Sequence, residues 1–170
     1  MGPISLDIVI DAPREVVFDR VADLSRRPSW TDHFLSDLRL ERIDASGPGA
    51  AARFRVGAPG GIAYAETVID EADRPARIAE RGRGGRWDRI GVRTVWELRG
   101  GEGSPTELTL TFWTEATHPL DRVRELRASG WWKRRWHKAL QRLRDQIESG
   151  EQPSEPVGVG GGDRHPTGLP

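Results

Sequence analysis

The sequence predicts an α+β fold, in which a curved antiparallel sheet of seven strands wraps on a long C-terminal helix in the order β-α-α-β6-α. Three patterns predict it. Between residues 38 and 113, short segments alternate apolar and polar residues and are separated by glycine and proline, as antiparallel strands joined by turns are. From His118 to Ile147, apolar residues recur at i+3/i+4, as on one face of an amphipathic helix. A period-2 strand followed by a short helix opens the chain. Short connections keep neighbouring strands antiparallel, and a sheet with one apolar face needs a helix to cover it.

Taken in order, Ile4, Leu6, Ile8 and Ile10 alternate with Ser5, Asp7 and Val9 and define the first strand. Asp11, Pro13 and Glu15 then supply an acid, a first-turn proline and a carboxylate suited to a helix N-terminus. Val17, Phe18, Val21 and Leu24 keep helical spacing, which predicts a helix over 13–24, and Arg26-Arg27-Pro28 breaks it. A second helical piece is expected over Trp30–Leu35. Strands follow at Leu38–Glu41, at Ala52–Val56 and over 62–70. The face of 62–70 is open: Ile62/Tyr64/Val68 and Ala65/Thr67/Ile69 each form an inward set. Arg77–Arg83, Val92–Leu98 and Leu108–Phe112 complete the ladder, the last two as a hairpin through Gly100–Pro105. Gly82–Trp87 reads as a turn.

His118-Pro119 starts the long helix, and Val123, Leu126, Trp132, Trp136, Leu140, Leu143 and Ile147 form its stripe. Gly130 falls in its middle, where a bend or a close approach is expected. From Gly150 onward the chain is rich in Pro and Gly without apolar periodicity, which reads as a disordered tail over 150–170 behind a single domain over 1–149.

Composition narrows the chemistry. The 26 basic and 26 acidic residues cancel, which removes the global electrostatic argument for nucleic acid. With no Cys, disulfides, thiolate metal sites and Cys nucleophiles are excluded; with no Asn, so is N-glycosylation. No apolar run approaches the ~18 residues of a membrane span, and no leader-like segment opens the chain, so a soluble cytoplasmic protein is expected, without stable membrane insertion. P-loop, nucleophile-elbow and zinc-helix motifs are missing, the four His residues are scattered, and neither a metal nor a cofactor is expected.

The segment Ile8-Val9-Ile10-Asp11-Ala12-Pro13-Arg14-Glu15-Val16-Val17-Phe18, with Val21-Ala22-Asp23-Leu24 and Pro28-Ser29-Trp30, resembles the opening of START-like proteins. These are the SRPBCC superfamily, which includes the polyketide cyclase/dehydrase and lipid-transport group of Bet v 1-type helix-grip fold. Ile69–Ile78, a strand ending in acid and proline before the next strand, is similar to the family's mid-sheet segment. The resemblance covers about residues 4–148. It implies an elongated cavity between the sheet and the terminal helix, and a small hydrophobic or aromatic, lipid- or polyketide-like ligand.

Seven Trp residues make the chain rich in large rings. Trp30, Phe34, Phe54, Tyr64, Trp96, Phe112, Trp132 and Trp136, with Thr94 as a polar handle, are the candidate ligand-binding residues. These rings either fill the core or line a pocket for a flat, apolar molecule. Tyr64, Glu66 and His33 are the candidates for catalysis: a Glu in an apolar pocket would be pushed up towards general acid–base duty, and Tyr or His could polarise a carbonyl. Three functions therefore stand side by side: a carrier or binding protein, a cyclase/dehydratase-like or hydrolase-like enzyme, and an accessory interaction module. The last would use the basic terminal helix, where Trp131 falls off the apolar stripe and is a candidate for a cavity mouth, an oligomer contact or a transient membrane touch. Ligand identity and oligomeric state are not encoded in any motif.

Overall fold

In the computed structural model, which describes residues 1–58, 61–85, 88–101, 103 and 105–151, the chain forms seven strands and three α-helices. The order is β1 (Ile4–Ile10), α1 (Arg14–Ala22), α2 (Pro28–Thr31), β2 (Leu35–Leu40), β3 (Ala51–Ala58), β4 (Gly61–Asp73), β5 (Arg77–Gly84), β6 (Ile90–Arg99), β7 (Thr106–Ala116) and α3 (Pro119–Glu148). All seven strands join one antiparallel sheet in the order β1-β7-β6-β5-β4-β3-β2. The predicted α+β architecture is the observed one. The Pro/Gly-rich tail lies, from residue 152, outside the described residues.

Local chemistry explains the element ends. Glu15 occupies the first turn of α1, where a carboxylate complements the helix dipole. α1 stops at Ala22, and Asp23 instead caps a 3-10 turn at Leu24–Arg26 by accepting from the Ser25 backbone N–H at 3.0 Å. Pro28 then starts α2 ahead of the tryptophan-based expectation, because proline at the first helical position sacrifices no helix hydrogen bond. α3 begins with His118 capping the Leu120 N–H and Pro119 in the first turn.

Alternation sets the inner face. On β7, Thr106, Leu108, Leu110, Phe112, Thr114 and Ala116 are buried and every intervening residue is more exposed. On β4, Ala65, Thr67 and Ile69 are the buried set, so the second parity holds and Tyr64 and Glu66 face outward. α3 lays Trp136, Ala139, Leu140 and Leu143 on the sheet, fully or nearly buried, and each large side chain contributes about 1.5–3 kcal/mol. Its C-terminus is tied down by Glu148, whose Oε1 accepts from the Asp11 N–H at 2.9 Å.

Two glycine expectations are corrected. Gly130 neither interrupts α3 nor meets another element: it is exposed, and a Cβ there would have only the Arg134 guanidinium within 4 Å. Gly82 and Gly84 belong to β5 rather than to a turn. A Cβ on Gly82 would lie 1.9 Å from the Glu66 carbonyl oxygen, so only glycine lets β5 approach β4 so closely.

Candidate ligand site

The space between sheet and α3 has two unlike ends. Near α2 and the C-terminal half of α3, rings fill it. Trp96 of β6 stands edge-on to Trp30 of α2 at 5.9 Å and to Trp136 of α3 at 5.8 Å. Phe112 tilts against Trp136 at 5.7 Å, and Phe34 stands edge-on to it at 5.2 Å. Edge-to-face contacts of this kind are favourable beyond the area they bury. Here the aromatic signal of the sequence is core.

Beneath these rings lies an ion pair that no local sequence pattern announced. Arg27, just before α2, and Glu80 of β5 are each about 3 % exposed. The guanidinium forks onto the carboxylate with both contacts at 2.7 Å, and Trp96 Nε1–H and Thr67 Oγ–H donate to the same carboxylate at 2.7 and 2.9 Å. Burial pushes the Glu80 carboxyl up, but the Arg27 charge and these hydrogen bonds outweigh it and hold the group below its ordinary range. Four donors saturate the carboxylate's acceptor capacity, so its fixed role is to join α2 to the sheet. A charge at an inward strand position was the available signal: Glu80 has the same parity as Ile78.

Towards the other end the inner face changes. Phe54 on β3, Ala63 on β4, and Ile90 and Val92 on β6 share the inward parity with fully buried neighbours, yet keep accessible surface. At the start of α3, Leu120 and Val123 are 70 % and 52 % exposed. The floor there is built of small side chains: Ala63, Ala65, Val92, Thr114 and Ala116. Thr94 is buried at the boundary, beside Glu80 on one side and Phe112 on the other. Trp132 is half-buried and leans on Phe112 at 4.8 Å, while Trp131 stands against Phe34 and Trp132 at 6.2 and 4.9 Å.

The predicted site residues therefore separate. Trp30, Phe34, Trp96, Phe112 and Trp136 pack the closed end, Thr94 and Trp132 stand at its boundary, and Phe54 lies towards the open one. Tyr64 lies on the other side of the sheet, 53 % exposed, because residue 64 is out of phase with Ala65. Glu66 shares that outer face, opposite Arg53 and Arg83 on the neighbouring strands. His33 sits between α2 and α3: its Nε2–H donates to the Arg135 carbonyl at 3.1 Å, and its Nδ1 faces the Arg142 guanidinium at 3.3 Å. The three catalytic candidates thus do not converge. No cluster that could hold a metal ion occurs among the described residues, and no described helix is long and apolar enough to cross a membrane.

A curved seven-stranded antiparallel sheet gripping a long terminal helix is the architecture of helix-grip proteins. Residues 1–148 match the family described as "Polyketide cyclase / dehydrase and lipid transport", and the chain belongs to that family. No curated protein matches the sequence. Among solved structures the fold is similar to TTHA0849 from Thermus thermophilus (17% identity, TM-score 0.64, covering 89% of this chain and 100% of that one). It is similar also to major latex-like protein 151 from Panax ginseng (13% identity, TM-score 0.59, covering 89% and 98%). DynU16, a protein of the dynemicin biosynthetic locus, matches at 20% identity and TM-score 0.59, with 92% of this chain covering 50% of that one.

Proposed function

We propose that the domain of residues 1–149 binds a small hydrophobic or aromatic molecule at the open end of the interior and carries it without transforming it. The observation behind this reading is the accessible surface kept by Phe54, Ala63, Ile90 and Val92 at one end of an inner face whose centre is buried. Apolar walls with a single hydroxyl, here Thr94, suit a ligand held mainly by area and oriented by few polar contacts. Carriage is favoured over a cyclase-like reaction by the positions of the titratable groups: Tyr64 and Glu66 face outward, and Glu80 is ionised and saturated.

The neutral dye N-phenyl-1-naphthylamine tests this. Saturable fluorescence enhancement is expected in the wild-type protein, together with a rise in melting temperature by mass action. Val92→Trp, which places an indole in the space, should remove both while leaving the far-UV spectrum intact. A wild-type protein that binds no dye, or a Val92→Trp variant that binds it equally well, overturns the proposal. Native mass spectrometry of freshly purified protein then identifies any molecule that travels with it.

A further inference from the structure

Two pairs of arginines stand directly opposite each other on neighbouring strands. On β5 and β6 they are Arg81 and Arg93; on β2 and β3 they are Arg39 and Arg53. All four are exposed. Like charges in direct cross-strand register destabilise a sheet. For the first pair the protein supplies its own counter-ion: Asp70 of β4 lies 2.7 Å from Arg81 and 3.7 Å from Arg93. For the second pair, no carboxylate among the described residues forms an ion pair with either guanidinium.

The surroundings of Arg39 and Arg53 explain why the charge is left open. Of the strand acids around them, Asp37 is engaged by Arg55 at 2.8 Å, and Glu66, in register with Arg53 on β4, forms an ion pair with neither arginine. Asp37 adopts φ 51° where β2 shifts register between Ser36 and Arg39. Glu41, which lines the same groove, pairs with neither. Arg53 instead rests over the ring of Tyr64, 5.2 Å from its centroid, with Arg55 at 5.8 Å. Asp37, Arg39, Leu40, Glu41, Arg53, Phe54 and Tyr64 line a surface groove of about 790 Å³, far more space than a lone anion fills.

We propose that this groove binds a small phosphate-bearing molecule, its phosphate taken by Arg39 and Arg53 and its organic part lying along Tyr64. Guanidinium groups offer planar forks of N–H donors that match phosphate oxygens, and a phosphate between the two arginines takes the place that Asp70 takes between Arg81 and Arg93. Two guanidiniums without an ion pair, with the carboxylates Glu41 and Glu66 beside them, suit a single phosphoester rather than a polyanion. A polymer backbone draws its affinity from many cations at once, and Glu41 opposes that here. The two arginines and Tyr64 are on the outer face of the sheet, while Phe54 belongs both to this groove and to the proposed interior site.

Isothermal titration with phenyl phosphate provides the test, with inorganic phosphate as the second titrant and benzyl alcohol as the uncharged control. Saturable binding of phenyl phosphate is expected, with none of benzyl alcohol. Arg39→Gln and Arg53→Gln should each weaken it about tenfold or more, as loss of one arm of a charge-assisted fork does. Arg81→Gln should change it less than about twofold. Because Arg39→Gln removes a like-charge contact, its melting temperature without ligand should not fall below that of the wild type, which separates a binding role from a structural one. Weaker affinity for inorganic phosphate is expected if the organic part lies along Tyr64; equal affinity overturns that part of the proposal. No saturable binding, or binding that Arg39→Gln and Arg53→Gln leave unchanged, overturns it. Retained N-phenyl-1-naphthylamine binding in the same variants keeps this outcome separate from that of the hollow.

Discussion

Arg27 and Glu80 meet fully buried across the interior, with both guanidinium contacts at 2.7 Å, and so lock the short helix before β2 to the middle of the sheet. The same carboxylate holds Trp96, and Trp96 in turn braces Trp30 and Trp136. The closed end of the molecule is thus organised around one charge pair.

Breaking that pair should be costly. Arg27→Met or Glu80→Leu alone leaves an uncompensated buried charge and should destabilise the protein by about 3–5 kcal/mol. The double replacement should recover much of that loss, because it removes both desolvation penalties. Chemical denaturation of the four proteins checks this; single variants that lose less than about 1 kcal/mol, the value of an exposed pair, would contradict it.

Acid should act at two places. Glu80 is held below the usual Glu value of 4.5, so its contribution is present above that pH and is lost as pH falls further. His33 behaves differently. Burial lowers it from 6.5, its bond to the Arg135 carbonyl opposes this, and the charges of Arg142, Lys138 and Arg135 lower it further. Asp32, beside it on the chain, is ion-paired to Arg142. The neutral form therefore belongs to the folded state, so stability is full above 6.5 and declines as pH drops below it. His33→Gln should flatten melting temperature against pH just below 6.5 and leave the steeper loss below 4.5.

The two glycines should respond in opposite directions. Gly82→Ala forces β5 away from the Glu66 carbonyl and should cost more than about 1 kcal/mol. Gly130→Ala adds a methyl group on an exposed helix position and should stabilise by about 0.5–1 kcal/mol. Thermal unfolding of both variants decides it.

Tyr64→Phe and Glu66→Gln should leave N-phenyl-1-naphthylamine binding unchanged, since both side chains stand outside the interior. Trp132→Ala should weaken it, because Trp132 closes on Phe112 at the boundary of the open end. A loss in Tyr64→Phe equal to that in Trp132→Ala would place the hollow on the wrong side of the sheet.

The sequence by itself determined the element order, the alternation of each strand and the stripe of α3, because these follow from local periodicity that any partner surface must respect. Its opening segment also carried the family. Periodicity could not choose between the two faces of residues 62–70, since apolar and polar side chains occur on both; the register of β4 against β3 and β5 chose. Nor could it show that Arg27 would find Glu80, or that Arg39 would face Arg53 without a counter-ion. Those are distances between segments remote in the chain, and electrostatic and packing energies depend on distances that exist only once the sheet has closed over its helix.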